Sequence, residues 1–217
     1  MRQIFGGCHK VSCDVVSGMK KRVDSAQRNA LILERARVLF SDLGYPEVTL
    51  KLIARRCGVN RTAIYRYYKS KREIFDNVIV DIASKLGAEF RSYVVEHPEL
   101  KASEKIRLVM RRVLEIMEQN IGLLDAITEY LIDQRRQGES VTRRVHRHTV
   151  GLRHTLVQLV REGMDSGEFR QMNCTLVGDI LFSQIEAVAL QMAVTQTANI
   201  ETIKSSIDVT LACLAAK

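Results

Sequence analysis

Gly58 is the residue that most restricts how this chain can fold. It divides two short runs of helical periodicity inside Val48 to Arg72, VTLKLIARRCGVNRTAIYRYYKSKR. Before it, Thr49 is a hydroxyl cap, and Leu50, Ile53 and Ala54 share a buried face. Ala54 is small enough for a second helix to cross closely. Glycine at 58 supplies the positive φ of a tight turn at no steric cost. Val59 plugs the corner. After it, Asn60 caps a second helix whose inner face is Ile64, with Tyr68 one turn on. The pattern is a helix-turn-helix over residues 49–68. Its outer face carries Arg61, Thr62, Tyr65, Arg66 and Tyr67.

Charge gathers in the same place. Val48 to Arg72 holds eight Lys or Arg and no acid, against a net charge of +8 for the whole chain. The other 25 of the chain's 33 basic residues are balanced by its 25 acids. A basic pI by itself says little about partners, whereas an acid-free helix-turn-helix points to double-stranded DNA. Asn60, Arg61, Thr62 and Tyr65 sit at the start of the second helix, where side chains reach base edges, and Arg61 has the fork to grip guanine. Arg55 and Arg56 are either further contacts or solvated charges.

GYPEVTLKLIARRCGVNRTAIYRYYKSKREIF resembles the DNA-binding domain of TetR-family transcriptional regulators. The likeness rests on Gly44, Thr49, Ile53-Ala54, Gly58-Val59, Ala63-Ile64-Tyr65, the aromatic pair Tyr67-Tyr68 and Ser70-Lys71. The quoted run is 32 of the chain's 217 residues. The family usually has a small residue where Thr62 stands and Phe where Tyr68 stands, departures that bear on which bases are read. The resemblance implies phosphate contacts from Thr49, Tyr67 and Lys71. It also implies a ligand pocket in the second half, where an unidentified small-molecule effector tilts a connecting helix and releases the DNA. Phe90, Met110, Met117, His148 and Met164 are its candidate lining. Met in a helix is usually core, and His148 inside an apolar stripe is more often a hydrogen-bonded core residue than a ligand contact.

The rest of the chain reads as all-α: an N-terminal three-helix, helix-turn-helix DNA-binding domain followed by a C-terminal helical ligand-binding and dimerisation domain. Two prolines, no Trp and few alternating runs favour helices. Residues 1–24 are expected to be a poorly packed extension, with Lys20, Lys21 and Arg22 as an alternative minor-groove arm. Residues 25–85 form the DNA-binding domain and 86–217 the regulatory one. Ser25 caps a helix over about 26–43, where Arg28 is a candidate phosphate contact, and Gly44 ends it. Ser70 caps a long helix over 71–96 that links the two halves. A nearly all-apolar helix over 175–196, with Ile180 and Ile185, and a last helix with the seam Ile203, Ile207, Leu211 and Leu214 are the expected homodimer interface.

Other chemistries find little support. Five cysteines without a CxxC pair suit reduced thiols in a cytoplasm, with redox sensing as the alternative. No phosphate loop, HExxH or GxSxG occurs, so no cofactor, metal or catalysis is expected. No apolar run is expected to span a membrane. Two alternatives stand beside the ligand-released repressor: a DNA-binding dimer that senses no small molecule, and a helical-bundle enzyme.

Overall fold

The computed structural model describes residues 12–195 and 200–216; the side chains of residues 12–24 and 142–147 fall outside the description. The expected extension over residues 1–11, and the basic arm of Lys20, Lys21 and Arg22 as side chains, therefore lie outside the described residues. Apart from one bridge between Phe169 and Ala215, the described secondary structure is helical.

The first helix, α1, runs Ser12–Glu47. It starts well before Ser25, which is therefore an interior residue and not a cap. The break comes at Gly44, whose φ of 76° leaves the helical region ahead of Pro46. Thr49 then caps α2 (Leu50–Arg56), its Oγ1 accepting the Leu52 amide at 3.1 Å. The corner closes as a Schellman turn: the amides of Gly58 and Val59 donate to Arg55 O and Ala54 O, with Gly58 at φ 67°. Asn60 caps α3 (Arg61–Tyr65) by accepting the Ala63 amide at 2.8 Å. Ser70 caps α4 (Lys71–Glu96), while Glu73 reaches back to the Lys69 amide at 2.7 Å. These reciprocal bonds satisfy amides that a helix start would otherwise leave exposed.

Ile32, Ala36 and Phe40 of α1 pack on Ile53, Ile64, Ile74 and Phe75 to form the first core. That core is completed from far along the chain. Helix α5 (Ala102–Gln119) ends at Asn120, and α6 (Ile121–Arg136) then lays Leu123, Ala126 and Tyr130 into the same cluster. Tyr45, Phe75 and Tyr130 cluster with ring centroids 4.6 to 5.1 Å apart, Phe75 and Tyr130 edge to face and Tyr45 tilted against both. A boundary at 85/86 thus leaves part of the first core on the wrong side. Gly122 makes the approach possible: a Cβ there would stand 2.3 Å from the Ser41 carbonyl oxygen of α1. The Glu129 carboxylate accepts the Tyr45 amide at 3.0 Å, and Arg37 donates to Asn120 at 2.9 Å.

The second core is built by α5, α7 (Val141–Asp165), α8 (Cys174–Thr195) and α9 (Ile200–Leu214). Here the expected dimer seam is redirected. Ile185, Ile207, Leu211 and Leu214 are buried within the protomer, and Ile203 packs on its core. Of the six residues, Ile180 alone faces outward, 48% exposed. Helix α8 is apolar on two faces. Val177, Leu181, Ile185 and Val188 point inward, while Leu176, Ile180, Leu190 and Val194 form an exposed stripe on the other side. At 22 residues, α8 is also long and apolar enough to cross a membrane by length and composition, contrary to expectation. Its inward face is taken up by α7 and α9, which is the situation of a core helix.

Candidate nucleic-acid interface

The reading unit exposes Thr49, Lys51, Arg55, Arg56, Asn60, Arg61, Thr62, Tyr65, Arg66 and Lys69, without one carboxylate among them. Only Ile64 of α3 is buried, so the helix is held by one apolar anchor and its cap. Tyr68 adds a second tie, its hydroxyl donating to Asn29 of α1 at 2.5 Å. The same bond places the neighbouring Arg28, which is exposed, at the edge of the unit.

The caps leave useful chemistry free. Thr49 and Asn60 spend a lone pair on a backbone amide. The Thr49 hydroxyl proton and the Asn60 NH2 group remain as donors, which is what phosphate oxygens and base edges require. Arg61 and Tyr65 stand one turn apart and act as a pair. Arg61 Nη2 donates to the Tyr65 hydroxyl at 2.6 Å, with its guanidinium carbon 5.3 Å from the ring centroid. The guanidinium is thus held in one orientation at the mouth of the unit.

Lys71 sits differently from expectation. Its ammonium donates to Tyr45 O at 2.7 Å and Pro46 O at 3.0 Å, and lies 4.3 Å from the Tyr45 ring centroid. Burial pushes its pKa below the ordinary lysine value, against the opposing pull of Asp133 and Glu47. Two of its three donors therefore close the end of α1, leaving one for a phosphate. Lys71 and Tyr45 lie 26 residues apart, so no local spacing in the sequence signalled this role. Lys51 and Lys69 join the exposed basic surface, and the acid-free run was the only sign of them.

In the second half, a cavity of about 470 Å³ opens between α4 and α7. Phe90 and His148 line it. Met110 and Met164 are instead buried in the second core, and Met117 packs against it. Unbranched thioethers fill gaps between helices, and here they do so. Arg143, Arg144 and Arg147 lie outside the described side chains. Among the described residues no cluster of His, Cys, Asp or Glu is arranged for a metal ion.

Residues 32–78 match the family model of bacterial regulatory proteins of the tetR family. The chain is 27% identical over 147 residues to the nucleoid occlusion factor SlmA of Serratia proteamaculans, covering 66% of this chain and 73% of that protein. To the SlmA of Vibrio vulnificus it is 32% identical over 108 residues, covering 50% and 53%. Its fold is similar to a TetR transcription regulator from Haloarcula marismortui, with a TM-score of 0.75 and 17% identity over 88% of this chain and 100% of that one. It is also similar to the regulator FadR of Bacillus subtilis, solved with stearoyl-CoA, at a TM-score of 0.67 and 20% identity over 86% and 97%. The matched segment contains the capped, acid-free run Val48 to Arg72 described above, joined to a helical second half of the same architecture. The chain is a DNA-binding regulator, and its residues 32–78 are a domain of the tetR family of bacterial regulatory proteins.

Proposed function

We propose that this regulator is a ligand-released repressor that binds a near-palindromic operator as a homodimer in the cytoplasm. The observation that carries the reading is the exposed face from Thr49 to Lys69, rich in donors and free of acids. Arg28, Thr49, Tyr67 and the remaining donor of Lys71 hold phosphates, and Asn60, Arg61, Thr62 and Tyr65 read bases. The exposed apolar stripe of α8, with Leu176, Ile180, Leu190 and Val194, suits a second copy related by two-fold symmetry. Val209 of α9 is likewise 64% exposed. The α4–α7 cavity falls within the size range of small-molecule sites. The likeness to FadR, solved with an acyl-CoA, supports a bound effector.

The test is selection of bound duplexes from a random pool, followed by titration at several salt concentrations. Two matching half-sites about one helical turn apart are expected. Each neutralised phosphate should contribute about −0.9 to the slope of log K against log salt. Arg61→Ala should relax discrimination at one base pair by about 1–3 kcal/mol. A pool that yields no preferred sequence would sink the operator reading.

The likeness to nucleoid occlusion factors favours a second reading, a DNA-binding dimer that senses no small molecule. A chromosomal binding map separates the two. Sites confined to promoters support the repressor, and sites spread along the chromosome support the alternative.

A further inference from the structure

The α4–α7 cavity has a chemistry specific enough to name its occupant, on the ligand-responsive reading just given. Small residues create it: Ala83, Ser84 and Gly87 on α4 stand opposite Gly151 on α7. A Cβ placed on Gly151 would meet nothing within 4 Å. Leu86, Phe90 and Leu152 supply apolar wall. Among the described residues two basic side chains line the space, Arg91 and His148, and no carboxylate does.

The two basic groups differ in kind. Arg91 folds back along its helix, its Nη1 lying 3.2 Å from where a Gly87 Cβ would be. A guanidinium there faces an anion well and repels a cation. His148 is 10% exposed, and neither ring nitrogen has a hydrogen-bond partner among the described residues. Its Nε2 stands 3.5 Å from Asp76 Oδ1, too far for a good bond yet close enough for the carboxylate to favour the proton on that nitrogen. Nδ1 is then a buried acceptor that lacks a donor. Leaving it so carries a desolvation cost that a ligand hydroxyl or N–H would remove. Levels 80 and 87 of α4, near His148 and the folded-back Arg91 respectively, are separated by about 10 Å of helix.

We propose that the cavity binds an elongated apolar hydroxy acid. Its carboxylate pairs with Arg91, its hydrocarbon body lies along Gly87 and Gly151, and its hydroxyl donates to His148 Nδ1. The inner anchor then lies beside Asp76, on the turn of α4 that follows the reading unit. Occupancy is thereby felt where α4 leaves the DNA-binding core.

Calorimetric titration with ω-hydroxyoctanoate, octanoate and octylamine tests this on the full chain. The hydroxy acid should bind about tenfold more tightly than octanoate, the worth of one hydrogen bond to a buried acceptor. Octylamine should not bind. His148→Phe should bring the two acids to equal affinity, and Arg91→Gln should weaken both alike. Gly151→Leu fills open space and should abolish binding while keeping a cooperative melt, so it serves even where the histidine variant fails to fold. The proposal is overturned by an amine that binds as well as the acids, by binding that survives Gly151→Leu, or by no response to either acid up to its solubility. DNA binding of the unmodified protein without any acid is measured separately. Its loss counts against the regulator reading, whereas intact DNA binding without an acid response counts against the hydroxy acid alone.

Discussion

Two leucines one helix apart should respond oppositely to the same substitution. Leu211 is 2% exposed in the second core, and Leu190 is 63% exposed on the outer stripe of α8. Replacing Leu211 by Glu forfeits about 1.5–3 kcal/mol of apolar burial and adds the cost of a buried, unpaired carboxylate. A domain whose whole stability is about 5–15 kcal/mol is brought close to unfolding. Leu190→Glu leaves the protomer almost untouched, since exposed positions shift stability by about 0.5 kcal/mol or less. In a two-fold dimer, however, the change enters twice. Burying the exposed part of each leucine is worth roughly 1–2 kcal/mol, so both copies together lose about 2–4 kcal/mol of association. That corresponds to a dimer dissociation constant weaker by on the order of a hundredfold. Sedimentation velocity across a dilution series, beside thermal melts of both variants, measures each effect. The expected result is a folded Leu190→Glu monomer and an unstable Leu211→Glu chain. A Leu190→Glu protein with unchanged dimer affinity, or a folded, monomeric Leu211→Glu protein, would refute the assignment of the two faces.

Asn60→Ala removes the cap of a five-residue helix, so a loss of about 1 kcal/mol and a melting temperature lower by about 2–4 °C are expected. Asn60→Asp should keep the melt, because the acceptor stays, yet weaken DNA binding because the donor is gone. Lys71→Ala should lower the melting temperature, since two carbonyls at the end of α1 lose their donor, and flatten the salt slope by about 0.9 per half-site. A lower melt with an unchanged slope would assign Lys71 to the fold alone. Burial, aided by Asp133 and Asp76, pushes the Tyr45 phenol up to about 12. The neutral form is favoured in the fold, so this stability is complete below pH 10 and fades as pH rises towards 12, by on the order of 2 kcal/mol. Denaturant melts between pH 9 and about 12 should show the wild type losing stability relative to Tyr45→Phe as pH rises. A constant gap between the two would rule out that titration.

Most of the reading unit was legible because its signals are local. Thr49, Gly58, Asn60 and Ser70 each act on amides within three or four residues, so spacing alone places α2, α3 and the start of α4. The Ile200–Leu214 seam was equally visible as a face. Its partner was not, because periodicity shows that a side is apolar without showing what covers it. Helix α8 has apolar residues all round, so nothing in its pattern separates the side that meets α9 from the side that meets solvent. The cavity was obscured for a related reason. It is defined by what Ala83, Ser84, Gly87 and Gly151 lack, whereas the methionines chosen as lining were flexible fillers of a packed core.

The part that local pattern cannot reach is α6. Glu129 holds the Tyr45 amide across 84 residues of chain, and no spacing rule joins an acid there to a broken helix end near residue 45. Gly122 stands inside α6, one residue after its start, where a side chain would strike the Ser41 carbonyl of α1. A contact through bare backbone has no flexible side chain to absorb a shift. Displacing α6 must therefore carry α1 along or break the Glu129–Tyr45 and Arg37–Asn120 bonds. Because α1 supplies Asn29 to Tyr68 and the Tyr45 and Pro46 carbonyls to Lys71, the reading unit is anchored on both sides to a helix that α6 controls. Two packed connections thus join the second half to the DNA-reading face, the continuous α4 and the pair α1–α6.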